Sequence, residues 1–571
     1  MTDVQAHGSL DPITLEVVRH KVDGIAAEME MTVIRSAFST IVKEALDASA
    51  ALFTRNGETL AQAIAVPNHL ATLQPMMAAL LVRFPLAAMA DGDLYILNDP
   101  YAAGGTHIPD IAIIQPVFND GEIIGFSTAL THHQDTGGMT PGSTPTNATE
   151  IFQEGLRLPP VKLRDRGKFD DTLIQIMRLN VRLPDIFMGD INAQIAACAI
   201  GARRLKEVAQ TYGNAHLLAL FDALLDHSER LTRKAIAEIP DGTYRYVDWL
   251  DNDGVDLDRP VRIEVAVIVD GDRMTFDFTG TDPQLRGPCN SPKSDSFAAA
   301  CFALRAVTDP DNTMPTNGGC FRPLSFVLPE GSLVNPQEPA PLGCRTLTIK
   351  RLSGCILGAL RQAAPSRVPA DCGDELMILH FGGKRADGSR YVTSQLLASG
   401  TGAGPNGDGT DAIETNISNC MNVPAEAIMM EAPIRVHSLL LAEGSGGTGR
   451  WRGGLGCIQE FEILDGEVTA TYRGERHFFS AAGMDGGGPG GKAWAVIRRA
   501  DGTEETVPSK IVTRLMAGDR FVLATAGGGG RGDPRSRPAA LVADDVANEK
   551  ISASEAREAY GQDVPRKAVN R

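Results

Sequence analysis

Asn119-Asp120-Gly121 separates two apolar runs, Asp110 to Phe118 and Glu122 to Leu130. Asp-Gly between apolar runs is a strong hairpin signal. The two runs are therefore predicted to pair, and the pairing has a chemical consequence. At the start of the first run lies Asn98-Asp99-Pro100-Tyr101-Ala102-Ala103-Gly104-Gly105-Thr106-His107-Ile108-Pro109-Asp110. At the end of the second lies Thr131-His132-His133-Gln134-Asp135. Both clusters carry metal-ligand residue types, and a hairpin makes them meet.

With the turn at Asp120-Gly121, cross-strand partners have numbers summing to 241. Pro109 then faces His132, and His107 faces Gln134. His107 and His132 become diagonal neighbours on one face, a separation that two imidazoles can close onto one ion. Asp110 would point to the other face of a regular strand. Pro109 is expected to keep the stretch irregular and let Asp110 turn inward. A His-Asp-His set with one more carboxylate and a water suits Zn²⁺, and it also admits Mn²⁺ or Fe²⁺. Asp47, at a helix-to-strand change, is the candidate for that carboxylate; its ordinary alternative is a capping or turn aspartate. His69 and His133 are further candidates, and Asp135 could orient one of the histidines. A buried hydrogen-bond network is the alternative for the whole cluster.

The chain's 571 residues suffice for a substantial core and several lobes. A formal net charge of −17, with no Lys/Arg run, gives no drive toward nucleic acid. Nine scattered cysteines without a Cys-x-x-Cys pair argue against a disulfide framework and a zinc ribbon, and for reduced, buried thiols. Met1 to Pro12 is polar, without a signal core. No apolar run reaches the ~20 residues of a membrane span. A cytoplasmic protein is expected.

Asp11-Pro12 should start a helix reaching about Val42. Short strands are predicted over Leu46 to Phe53, Thr59 to Val66 and Asp93 to Leu97, with a helix over Leu70 to Phe84. Residues 170–238 read as helices. A β-meander covers Tyr244 to Trp249, Val261 to Val269 and Arg273 to Phe278, and a buried helix Ser296 to Val307. Ser399 to Asp411 suggests a flexible loop or junction. Strands follow over Cys457 to Leu464, Glu467 to Tyr472, Ala493 to Arg498, Val507 to Ile511 and Arg520 to Ala524. The fold class is α+β: an N-terminal helix, a metal-binding β-hairpin region, a helical middle segment and a β-rich C-terminal lobe. The predicted lobes are 1–240 with the metal site, 241–440 mixed, and 441–571, Gly-rich β with a C-terminal helix.

Gly486-Gly487-Gly488-Pro489-Gly490-Gly491-Lys492-Ala493 nearly fits a phosphate-binding loop. Ala493 lacks the hydroxyl that would hold Mg²⁺, and a strand is expected next instead of a helix. No G-x-S-x-G elbow is present, so a serine hydrolase has no support.

Further segments stand in order along the chain: Asn98 to Asp110, Glu154-Gly155-Leu156-Arg157-Leu158-Pro159-Pro160, Asn290-Ser291-Pro292 and Pro315-Thr316-Asn317-Gly318-Gly319. Arg450-Trp451-Arg452-Gly453-Gly454-Leu455-Gly456, Gly529-Gly530-Arg531-Gly532-Asp533-Pro534, Asp545-Val546 and Ala559-Tyr560-Gly561 complete the set. Taken together in this order they resemble the B subunit of the N-methylhydantoinase, 5-oxoprolinase and acetone carboxylase group. Glu549-Lys550 departs from a pattern that often has glycine there. The resemblance implies a metal held by Asp47, His107, Asp110 and His132. It also implies a hydantoinase A-type partner that binds ATP and Mg²⁺, in a heteromer such as α₂β₂.

The expected reaction is ATP-dependent opening of a cyclic amide. The partner phosphorylates the carbonyl oxygen, and metal-activated water completes hydrolysis in this chain. His133 or Asp135 is expected to move protons. The alternatives are a component of an acetone- or acetophenone-type ketone carboxylase, in which the metal polarises the ketone, and a non-catalytic scaffold with a structural metal.

Overall fold

Asp11 accepts from the backbone N–H groups of Ile13 and Thr14 and opens helix α1 (Pro12–Ser36). The computed structural model describes residues 11–63 and 66–564, without the side chains of 70 and 71. Residues 1–10 of the polar stretch expected over Met1 to Pro12, and residues 64 and 65 of the strand expected to reach Val66, lie outside the described residues. Helix α1 stops short of Val42. Phe38 N–H and Ser39 N–H donate to the Asp190 carboxylate, at 2.7 and 3.1 Å. These bonds satisfy the backbone where the helix breaks, before the short α2 (Thr40–Lys43).

The elements that follow are β1 (Ala48–Phe53), β2 (Thr59–Gln62), α3 (His69–Arg83), β3 (Leu94–Leu97), β4 (Asp110–Asn119), β5 (Glu122–His132), β6 (Val161–Asp165) and β7 (Lys168–Phe169). They make a seven-stranded sheet in the order β2-β1-β5-β4-β3-β6-β7. The helices α4 (Asp171–Asn180), α5 (Pro184–Tyr212) and α6 (Asn214–Ile236) come next. Alternation along β4 divides the core. Ile111 and Ile113 join the cluster holding residues of α1 and α5. Ala112 and Ile114 join the cluster holding residues of α3.

A second sheet, β8 (Gly242–Leu250), β9 (Val261–Asp270), β10 (Arg273–Asp277) and β11 (Leu324–Val327), shares a core with α7 (Lys293–Thr308) and α8 (Arg345–Ala363). The remaining elements are β12 (Leu376–Lys384), β13 (Arg390–Ala398), α9 (Ala425–Glu431), β14 (Ile434–Leu441), β15 (Cys457–Ile463), β16 (Glu467–Arg473), β17 (Trp494–Arg498), β18 (Glu504–Val507), β19 (Lys510–Met516), β20 (Arg520–Ala524), α10 (Ala539–Ala547) and α11 (Ala553–Glu558). The strand expected over Val507 to Ile511 is instead the corner between β18 and β19. The sheets β13-β12-β16-β19 and β14-β15-β20-β17-β18 both draw strands from either side of residue 440. The expected 241–440 and 441–571 lobes are therefore hydrogen-bonded into one another.

The fold is α+β, as expected. All nine cysteines are free and buried. Among the described residues no helix is long and apolar enough to cross a membrane.

Candidate metal centre

The β4–β5 hairpin turns at Asp120-Gly121, where both residues have positive φ. Asn119 pairs with Glu122, as a sum of 241 requires, but a bulge between Val117 and Phe118 then shifts the register. Beyond the bulge the sum is 242, and Asp110 faces His132 directly. This corrects the expected facing of Pro109 with His132, and it removes the difficulty with Asp110. The carboxylate lies on the α3 side of the sheet with His132, and His107 returns to it from the loop before the strand.

That loop is fixed from behind. Asn98 Nδ2 donates to Ile108 O at 2.6 Å, and Asn98 Oδ1 accepts from Leu158 N. Gly105 packs so closely on Asn98 O that a Cβ would stand 2.4 Å from it. One ligand atom from each of His107, Asp110 and His132 can be chosen so that all lie within 4.8 Å of one another. The two imidazole centroids are 5.0 Å apart. His107 Nε2 is 3.2 Å from Asp110 Oδ2. Both ring nitrogens of His107, Nδ1 of His132 and Oδ1 of Asp110 are buried without a hydrogen-bond partner.

Asp47 follows Leu46, whose φ is 59°, at the junction of α2 and β1. Its carbonyl accepts from His132 N at 3.1 Å. Its side chain lines the same cavity and lies 3.8 Å from His69 Nε2. The cavity opens about 30 Å³ to the centres of water molecules, more than a single water needs.

Burial sets the protonation states here. It lowers His107 and His69 to about 4, and His132 well below its ordinary value. These imidazoles are neutral at pH 7 and have lone pairs to offer. Burial pushes Asp110 up, but His107 and the Arg345 guanidinium hold it well below the usual carboxylate range. Burial and the neighbouring Asp110 raise Asp47 to about 7.

The two expected proton carriers lie elsewhere. His133 follows His132 and so points to the other face. Its Nε2 is 3.3 Å from Gln194 Oε1 of α5, and its ring packs on Phe187. Asp135 forms an ion pair with Arg182 at 2.9 Å and accepts from Gly137 N and Gly142 N. It orients no histidine, and neither residue lines the cavity.

The cavity also holds Arg345, Lys350, His380 and Arg473, none of which stands out in the sequence. Arg345 donates to Asp110 Oδ2 at 2.5 Å and to Asp295 at 3.3 Å. Lys350 donates to Glu414 and to Thr415 O. His380 has both nitrogens engaged, by Thr144 and Ser394. It is wall, with no lone pair left for an ion. The available signal was a helix, 345–363, with charged residues where a core-facing stripe would be apolar.

The family profile described as Hydantoinase B/oxoprolinase matches residues 11–534. The chain belongs to this family. It is 34% identical over 566 residues to the beta subunit of the caprolactamase of Pseudomonas jessenii, covering 97% of this chain and 96% of that one. It is 33% identical to the B subunit of a putative D-/L-hydantoinase of Pseudomonas sp. (strain NS671), covering 97% and 95%. A match at 30% to the 5-oxoprolinase of Dictyostelium discoideum covers 92% of this chain but 41% of that one. The crystal structure of the ATP-dependent caprolactamase from Pseudomonas jessenii superposes with a TM-score of 0.90, at 31% identity, over 98% of this chain and 97% of that one. An acetone carboxylase chain superposes at 0.89 but at 21% identity, a likeness of fold.

Proposed function

We propose that this chain is the metal-holding subunit of a two-component, ATP-dependent enzyme that opens a cyclic amide: a hydantoin, an oxoproline or a lactam. The convergence of His107, Asp110 and His132 carries the reading, because buried donor atoms of all three lack a partner. Each buried polar atom left unpaired costs roughly 1–3 kcal/mol, so the cluster is arranged for a ligand. A divalent cation fits it: two neutral imidazoles and an ionised carboxylate, with Asp47 as a fourth ligand from the cavity wall. Zn²⁺ is the proposed ion, with Mn²⁺ and Fe²⁺ of compatible preference.

When bound, such an ion supplies Lewis acidity, by which water becomes a nucleophile near neutral pH. The chain's own groups do the rest. Arg345 takes Asp110 Oδ2 and leaves Oδ1 without a partner. His69 Nε2 lies 3.8 Å from Asp47, beyond hydrogen-bond reach, and is a neighbour of that carboxyl in the wall. Burial keeps the imidazoles unprotonated.

An A-type subunit, in an α₂β₂ assembly, is the proposed site of ATP and Mg²⁺ and of phosphorylation of the amide oxygen. The names of the B and beta subunits among the relatives support a partner. In this chain the glycine loop 486–492 leads into β17 and offers no helix N-terminus to a phosphate.

The test is reconstitution with the A-type subunit. ATP-dependent ring opening of a lactam or hydantoin is expected, with about one divalent ion per chain. His107→Ala with His132→Ala should lose the ion and more than about 100-fold in turnover, beyond the cost of losing a group that only orients a ligand. Full activity in that double variant, or bicarbonate-dependent consumption of a ketone instead of ring opening, overturns the reading.

A further inference from the structure

Among the described residues the largest fully buried side chains are five arginines: Arg345, Arg351, Arg452, Arg473 and Arg476. A buried guanidinium without a counter-charge is costly, so each should have a carboxylate. Four do. Arg345 pairs with Asp110 and Asp295, Arg351 and Arg476 with Asp248, and Arg452 with Asp411. Arg473 forms no ion pair among the described residues. Its Nη1 donates to Gly343 O at 2.7 Å, and its Nε has no partner. Beside it are the Cys289 thiol and Cys344, whose thiol is drawn below its ordinary value by the hydrogen bond from Cys289 and by the charge and hydrogen bond of Arg473.

Arg473 is 1% exposed and lines the metal cavity. It ends β16, opposite Ile378 of β12, another lining residue. Formal charge points the same way. Arg345, Lys350 and Arg473 face Asp47 and Asp110, while Asp295 and Glu414 pair with Arg345 and Lys350 from outside the lining. Three cations against four carboxylates leave one excess negative charge. A divalent ion would turn this into one excess positive charge, which a single monoanion cancels.

We propose that Arg473 is an anion-binding residue of this cavity, receiving an oxyanion — carboxylate or phosphate — beside the metal. The inference rests on the metal reading above. Hydrolysis of an amide leaves a carboxylate where the carbonyl stood, and an activated substrate carries a phosphate. Either ligand presents the oxygens that a guanidinium binds in a forked geometry. A neutral lactam alone would leave the buried guanidinium without a directly paired oxyanion.

The experiment is titration calorimetry of the metal-loaded, full-length chain with acetate and, separately, with inorganic phosphate. The wild type is compared with Arg473→Met and Arg473→Lys, with metal content measured on each sample. Tighter binding of acetate assigns the subsite to the carboxylate; tighter binding of phosphate assigns it to the phosphate. Arg473→Met is expected to weaken the preferred anion by about tenfold or more, the loss of one charge-assisted hydrogen bond, at unchanged metal content. Arg473→Lys should retain part of the affinity, and it serves as the test if the methionine variant does not fold. Equal anion affinity in wild type and variant, or no anion binding by the metal-loaded wild type, overturns the inference and leaves the metal reading intact. A wild-type chain that takes up no metal fails the metal reading itself.

Discussion

Asp47 decides how the cavity answers to pH. Burial and the charge of Asp110 lift its carboxyl to about 7, against the pull of Arg345 and Arg473. Below pH 7 the metal-free chain carries a proton there that a cation must displace; above it, none. His107 titrates at about 4 and adds no second proton until that range. Cation affinity should therefore be flat above about pH 7 and fall about tenfold per unit from 7 to 4. Calorimetry in buffers of different ionisation enthalpy reads the proton directly, and Asp47→Asn should abolish the slope. An unchanged slope in that variant would assign the proton to another group. His107, Asp110 and His132 could be picked out in the sequence because two histidine-bearing clusters flank one signalled hairpin; Asp47 looks like an ordinary turn aspartate, and only the family resemblance marks it. Arg345 and Arg473 could not be picked out. Their roles come from the sheet and helix that bury them, and a lone arginine in sequence looks like surface.

The hairpin shows what local pattern can and cannot carry. Asp120-Gly121 specifies the turn. The bulge at Val117/Phe118, which sets Asp110 against His132, has no turn residue to announce it. The helix break after Ser36 depends on Asp190, far along the chain, and so is equally silent locally. The stretch Ser399 to Asp411, expected to be a flexible loop or a junction, is hydrogen-bonded to distant segments as a junction would be: Thr401 N to Thr410 O, Gly400 N to Ala526 O and Gly454 N to Thr401 O. Glycine there permits backbone-to-backbone packing. A Cβ on Gly528 would lie 1.9 Å from Thr401 O, and backbone cannot step aside. Gly528→Ala should cost at least the upper end of the roughly 1–3 kcal/mol of overpacking, read as a lower urea midpoint. Gly404→Ala, with its nearest neighbour at 3.7 Å, should stay within about 0.5 kcal/mol. Equal midpoints would mean that these glycine segments do not pack as a unit.

The cavity joins parts of the chain that local pattern treats as separate. Asp47, Asp110 and His132 come from the first sheet and its edges, His69 from α3, Arg345 and Lys350 from α8, and His380 and Arg473 from the sheet built on β12 and β16. Without a cation the donors of the first sheet repel or stand unpaired, while Arg345 holds Asp110 from the opposite side. An ion bound there should stabilise the junction, not one hairpin. At a hundredfold excess over its dissociation constant, a ligand adds about 2.7 kcal/mol to the folded state. Chelation should therefore speed amide hydrogen exchange together in the segments around Asp47, His107 to Asp110, His132, Arg345 and Arg473, with reversal on adding the metal back. The β8–β11 sheet contributes no lining residue and should exchange as before. Faster exchange confined to the β4–β5 hairpin would mean that the ion serves one sheet alone, and the proposed coupling between the metal and Arg473 would lose its structural basis.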